Sequence, residues 1–383
     1  MREAKAGGPE SIGLALSGGG VRAAAFHAGV LRYLAERGLL ENVTHVSSVS
    51  GGSLFAGLVF QNGNYRWPTS QAYLDKVLPH VREVLTTTSL QGRSVLRLVL
   101  PTNWALFLDR PEVLAQTIGK LWGIKASFLA LDETPIWSIN CSTGETGRRF
   151  RFKSDGTLGD YELGHADLKD LDIATALAAS AAFPGWIGPL ELAPENYAWK
   201  KKVPRDAKEA TPFTPPFQKL HIYDGGVYDN LGMEAIFDAG TQAMKEDSGV
   251  RYLVVSDAGA SVARRDLPLV PHKRVLQLID IYAEQVSDLR VRAFKNYLRQ
   301  NPGMGAYAQI GKSVAASIEE HRKERKQAIA DALLKHAWLS EEDAKKAKDY
   351  PTTLKKMDAP DFDLLARHGH ERIKWSMEMM SRS

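Results

Sequence analysis

The chain carries one cysteine in 383 residues. Cys141 therefore has no partner for an intrachain disulfide, which fits a reducing compartment. It lies in the apolar run 136–141, pointing to a buried structural thiol rather than a nucleophile. No stretch of about 20 apolar residues is present, so no membrane-spanning helix is expected. The longest candidate, residues 95–108, is interrupted by Arg97, Pro101, Thr102 and Asn103. Residues 1–10 are polar and lack the apolar centre of a signal peptide. The expectation is a cytoplasmic protein that touches a membrane only at its surface. His and Cys are nowhere grouped at zinc spacing, and His368 and His370 are too isolated to change that, so no metal and no cofactor are expected. Neither charge dominates: 49 basic and 45 acidic residues leave a net charge of +4. That excess gives no reason to expect nucleic acid, although it tolerates an anionic surface.

What is present suits a globular chain. Hydrophobic residues make up 44% and charged residues 25%, which excludes disorder and allows a sizeable core. The length allows about two domains, or one large domain with an appendage. Residues 12–16 (IGLAL) form an apolar run ending in Ser17-Gly18-Gly19-Gly20. Residues 21–37 follow with a helical pattern, Ala24, Ala28 and Leu31 lying along one face, and Gly38 stops it. Residues 43–49 are rich in β-branched side chains and end in Ser50-Gly51-Gly52, which reads as a strand and a tight turn. A helix is expected at 53–60. Strand, glycine loop, helix, strand, turn and helix make a parallel βαβ unit.

Residues 64–130 read as a mostly helical insertion, in which the apolar stretch 94–108 suits either a core or a membrane interface. Further strands are expected at 135–143, 148–153, 218–223 and 251–256, and helices at 173–182 and 231–243. Residues 189–216, dense in Pro, Lys and Glu, read as a loop or lid. After Pro271 the strands are expected to stop, with helices at 275–299, 313–337, 341–347 and 362–380.

Three motifs carry chemistry. Ser17–Arg22 (SGGGVR) follows a strand and opens a helix. Its bare amides suit an anion, either the phosphates of a nucleotide or the oxyanion of acyl transfer. Gly18, Gly20 and Ala23 satisfy a variant of the dinucleotide fingerprint, but the second strand ends in serines rather than the acidic residue that contacts ribose. Ser48-Val49-Ser50-Gly51-Gly52 is a degenerate nucleophile elbow, with Ser48 at the place of the first glycine. Ser50 would stand at the carboxyl edge of the sheet, beside the glycine loop. A serine nucleophile needs a base. His221 lies inside a strand, and His27 on the first helix reads as structural. Asp224, which opens Asp224-Gly225-Gly226 after a strand, is the stronger candidate, because burial would make its carboxylate a better base.

Taken together, SGGGVR (17–22), SVSGG (48–52) and DGG (224–226) resemble the patatin-like phospholipase family, in that order. ASAAFPG (179–185) matches the family's Ser-x-x-x-Pro-Gly segment. The likeness covers about 12–258, and SVSGGS also resembles the elbow of the related cytosolic phospholipases. It implies an α/β, patatin-like three-layer fold with a mostly parallel central sheet, a helical insertion and a helical C-terminal extension. The expected division is an acyl-hydrolase domain at 10–262 and the extension at 271–383. The resemblance implies a lipid acyl hydrolase, of phospholipase A or lysophospholipase type, with Ser50 as nucleophile and Asp224 as base. Gly18, Gly19 and Gly20 would form the oxyanion hole, supported by Gly52, Gly225, Gly226 and Arg22. Arg22 would either steady the loop or meet a phosphate head group. The implied partners are a phospholipid or lysophospholipid and, transiently, a membrane surface reached through 95–108, through Lys200, Lys201 and Lys202 beside Trp199, or through the basic C-terminal helices. A small-ester or neutral-lipid esterase on the same site, a nucleotide-binding α/β protein, an interaction protein on a catalytically dead hydrolase scaffold and a conventional Ser–His–Asp esterase are the rival readings.

Overall fold

The β-branched and apolar runs form strands, and these join into one mixed sheet. The computed structural model describes residues 9–91, 110–168, 170–183, 187–203, 208–259, 271–323, 329 and 331–380. In chain order the strands of the sheet begin with β1 (Ile12–Leu16), β2 (Val43–Val49), β3 (Ile136–Thr143), β4 (Arg149–Lys153), β5 (Thr157–Asp160) and β6 (Gly164–Asp167). The short β7 (Leu190–Leu192), β8 (Lys200–Lys201) and β9 (Thr211–Pro212) follow, then β10 (Leu220–Asp224). A separate hairpin, β11 (Phe237–Asp238) with β12 (Ala243–Met244), precedes β13 (Tyr252–Asp257) and β14 (Gly305–Gln309). The sheet runs β14-β13-β1-β2-β3-β4-β5-β6-β8-β9. Its first five members are parallel, and β4 onward are antiparallel.

Layers follow from the alternation of side chains along the central strands. Leu14 and Leu16 of β1, with Tyr252 and Val254 of β13, join the larger core, whereas Ala15, Leu253 and Val255 join a second core on the other face. The larger core holds α1 (Gly20–Glu36), α2 (Gly51–Asn62) and the last helix, Ala359–Met380. Phe294 and Leu298 of the helix Pro271–Gln300 pack on the other face. Helices thus cover both faces of the sheet. Among the described residues no helix is long and apolar enough to cross a membrane.

The C-terminal region differs from expectation. A strand, β14, appears where none was foreseen, in parallel pairing with β13. The Ala359–Met380 helix lies across α1 at backbone contact: a Cβ on Gly29 would strike the Ala366 carbonyl, and one on Gly369 the Phe26 carbonyl. This crossing explains why α1 is buried nearly all round rather than on one face. Of the helix expected at 313–337, the described residues show Val314–Lys323 and Asp331–Leu334.

Two further expectations are corrected. Residues 231–243 do not form a helix. Gly232 turns left-handed at φ 70°, a 3-10 turn (Met233–Ala235) follows, and Asp238 caps the Gly240 and Thr241 amides to close the β11–β12 hairpin. Residues 189–216 are not a free loop over their described part, because β7, β8 and β9 add to the sheet. Within that segment Trp199 is buried and donates to the Pro194 carbonyl, so it is not a membrane-facing ring. The insertion includes the helices Leu78–Thr87 and Arg110–Leu121. The apolar stretch 94–108 lies outside the described residues, as do Pro184 and Gly185 of the ASAAFPG segment.

Candidate active site

The register of β3 sets the geometry. Its residues from Ser138 to Ser142 pair with β4 on one edge. On the other edge β2 ends at Val49, opposite Asn140. β10 then takes over the same edge from the opposite direction, with Asp224 opposite Cys141. The residue that follows Val49 is Ser50. Two strands far apart in sequence therefore meet end to end at the point where Ser50 leaves the sheet.

Ser50 has φ 49° and ψ −116°, a left-handed backbone that a serine rarely adopts. It occupies the N-cap position of α2, yet its side chain makes no capping bond. The hydroxyl is thereby left free of the helix end, on the side of the Asp224 carboxyl, whose charged form it favours. The helix that starts behind it, at Gly51, directs its positive end at the same place. Close packing demands the glycines here. A Cβ on Gly51 would strike the Gly20 main chain, and one on Gly52 the Leu16 carbonyl.

Asp224 is almost wholly buried, and loss of water pushes its carboxyl up from 3.8 to about 7. The Gly226 amide donates to its Oδ1 at 2.7 Å, and that bond, with the Ser50 hydroxyl, pulls the value back. Gly225 lets the turn rest directly on the Asn140 carbonyl. At neutral pH the group stands between its acid and its base form, as a proton acceptor for a hydroxyl should.

The glycine loop lies beside them, with the Gly18 Cα close to the Ser50 side chain. Three oxyanion donors were expected, and one is already engaged: the Gly18 amide donates to the Asn230 carbonyl at 3.0 Å. Gly19 caps α1 with φ 141°, and Gly20 opens the helix, where amides have no intrahelical acceptor. Among the described residues the Val21 amide is bound, to the Thr353 carbonyl at 2.9 Å. That leaves Gly19 and Gly20 as the amides suited to an anion.

Arg22 turns inward and is 2% exposed. Its Nε and Nη2 donate to the Ala258 carbonyl at 3.2 and 3.0 Å, and Nη1 donates to the Tyr350 carbonyl at 2.7 Å. All of these contacts tie the loop to the rest of the fold, so a lipid phosphate does not fit this guanidinium. Burial lowers its pKa to about 10, which still leaves it charged at neutral pH.

The two candidate histidines are otherwise occupied. His27 is fully buried, with Nδ1 2.6 Å from Ser256 Oγ and Nε2 2.9 Å from the Ser17 carbonyl. Burial lowers its pKa to about 4. His221 Nδ1 is 2.5 Å from Glu145 Oε1. Cys141 is buried, as its apolar setting implied. Sequence reasoning passed over Asn140 and Asn230, and it met Ser180 only as the serine of the 179–185 segment, without a role. Asn230 belongs to the same DGGVYDN run as Asp224, which is the one signal that could have flagged it.

The sequence profile of the patatin-like phospholipase family matches residues 14–237, more than half of the chain. No curated relative matches in sequence. Among solved structures, human GIVD cytosolic phospholipase A2 is similar in fold, with a TM-score of 0.50 at 14% identity, over 98% of this chain and 59% of that one. The same enzyme in complex with methyl gamma-linolenyl fluorophosphonate gives 0.47 at 13% identity, over 97% and 58%. VipD from Legionella pneumophila gives 0.34 at 15% identity, over 94% and 67%. This chain thus spans about three fifths of the human phospholipase.

Proposed function

We propose, from the premise that this chain belongs to the patatin-like phospholipase family, that it hydrolyses the carboxylic esters of phospholipids or lysophospholipids. The observation that carries the reading is the buried Asp224 carboxyl, its pKa raised to about 7, at the point where β2 and β10 meet end to end and Ser50 leaves the sheet on its left-handed turn. Ser50 Oγ attacks the ester carbonyl while Asp224 takes its proton. The carbonyl oxygen becomes an oxyanion, which the Gly19 and Gly20 amides and the positive end of α2 stabilise. Collapse of this intermediate expels the lysolipid or glycerol alkoxide, which takes the proton from Asp224, and leaves the acyl group on Ser50. A water then attacks the acyl-enzyme, gives its proton to Asp224, and the fatty acid departs as Ser50 recovers its hydrogen.

Two features support this division of labour. The carboxyl is poised because it is dry, and the serine is presented by a backbone that its neighbours hold in an unfavourable turn. The histidine base of a conventional triad finds no support, since His27 and His221 are both bound elsewhere. The proposal includes transient contact with a membrane surface from the cytoplasmic side.

The test is chemical labelling and product analysis. A fluorophosphonate should attach to Ser50 and nowhere else, and mixed phospholipids should release free fatty acid with wild type but not with Ser50→Ala. Retention of most activity on a short-chain ester by purified Ser50→Ala would refute the assignment.

A further inference from the structure

Ser48 stands where the elbow pattern has glycine, and its hydroxyl leads to a buried chain behind the nucleophile. Ser48, Ser53 and Ser180 are all completely buried. The indole N–H of Trp137 can only donate, and it does so to Ser48 Oγ at 2.8 Å. Ser48 Oγ lies 3.0 Å from Ser53 Oγ, which lies 2.9 Å from Ser180 Oγ. Ser180 donates to the Asn140 carbonyl at 2.7 Å and accepts the main-chain N–H of Ser50 at 3.0 Å.

Each hydroxyl has one proton, so the ends fix the direction of the whole chain. Ser180 uses its proton on Asn140, hence Ser53 donates to Ser180. Ser53 has then no proton for Ser48, so Ser48 donates to Ser53 and accepts from Trp137. The Ser180 oxygen is left as a pure acceptor towards Ser53 and Ser50. The Asn140 carbonyl that it holds is the one on which Gly225 rests, directly beside Asp224. One hydroxyl therefore grips the backbone of the serine and the support of the aspartate.

We propose that Ser180 is the positioning residue of this site. By holding the Ser50 amide it keeps the turn left-handed and the Ser50 hydroxyl aimed at Asp224, while Ser48 and Ser53 orient its oxygen. The serine at the glycine position of the elbow is then a working part of the device. The inference rests on Ser50 being the nucleophile.

The experiment compares full-length wild type, Ser180→Ala and Ser53→Ala. Steady-state rates on a water-soluble ester, the rate of fluorophosphonate labelling and the thermal midpoint are measured on the same samples. A displaced nucleophile loses rate rather than binding, so Ser180→Ala should lower kcat and the labelling rate about ten- to a hundred-fold, with KM little changed. Ser53→Ala leaves the bond between Ser180 and the Ser50 amide in place. It should cost several-fold less kcat than Ser180→Ala even where its thermal midpoint falls as far. Equal loss of kcat in the two variants, or labelling of folded Ser180→Ala at the wild-type rate, overturns the proposal. Should Ser180→Ala fail to fold, Ser180→Cys keeps a weak acceptor in place and should label at an intermediate rate; wild-type labelling in it likewise overturns the idea. Failure of wild type itself to label at Ser50 removes the nucleophile assignment instead, so the two outcomes are distinct.

Discussion

Replacing Asp224 by asparagine removes one buried negative charge and little else. The amide oxygen can still accept the Gly226 N–H, and the shape is kept. Folding moves the carboxyl from 3.8 to about 7, so the folded state resists its ionisation. The sign follows from proton counts: between these values the unfolded chain has lost a proton that the folded chain retains. Stability of the wild type therefore falls as pH rises from about 4 to about 7, and this contribution is flat above. Asparagine has no such dependence. At about 1.36 kcal/mol per pH unit, the stability of Asp224→Asn relative to wild type should increase by about 3 kcal/mol between pH 5 and pH 8. Any constant cost of the amide cancels in that difference.

Thermal midpoints of both proteins at pH 5 and pH 8 measure it, and the variant's midpoint relative to wild type should rise by roughly 3–4 °C between them. The same carboxyl governs catalysis, so kcat/KM of the wild type should rise as pH passes through about 7, while the variant stays inactive at every pH. The gain in stability with loss of activity is the signature of a charge kept buried for its chemistry. A gap that does not change with pH would show that Asp224 titrates as an ordinary carboxyl, and the burial reasoning would fail with it.

Other parts of the site make separate predictions. Arg22→Lys gives up the planar fork that grips the Ala258 carbonyl and should lower kcat with KM unchanged, at a stability loss of about 1–3 kcal/mol read from chemical denaturation. Gly369→Ala sets a methyl group against the Phe26 carbonyl and should part the last helix from α1, so that the thermal midpoint drops by several degrees; an unchanged midpoint would rule out that crossing. Liposome pelleting should retain the protein on anionic lipid more than on neutral lipid, and no pelleting with either would end the membrane-surface proposal.

The order of the elements around the glycine loop and the elbow was legible because each has a local cause. An apolar run ending in glycines makes a strand and a bare helix start whatever surrounds it, and SVSGG makes a sharp turn for the same reason. Residues 231–243 misled because their apolar spacing resembles a helix, while Gly232 and the Asp238 turn decide otherwise. β14 escaped because five residues rich in small side chains carry little pattern until β13 offers them an edge. Residue types and spacing thus named the serine, the aspartate and the glycines. Which amides remain open to an anion, which way Arg22 turns, and that Ser180 holds the Ser50 amide came only from the tertiary structure. Those facts depend on contacts between segments far apart in the chain, such as Gly18 with Asn230 and Arg22 with Tyr350, the latter 328 residues apart, and hydrogen-bond partners so distant leave no trace in local sequence.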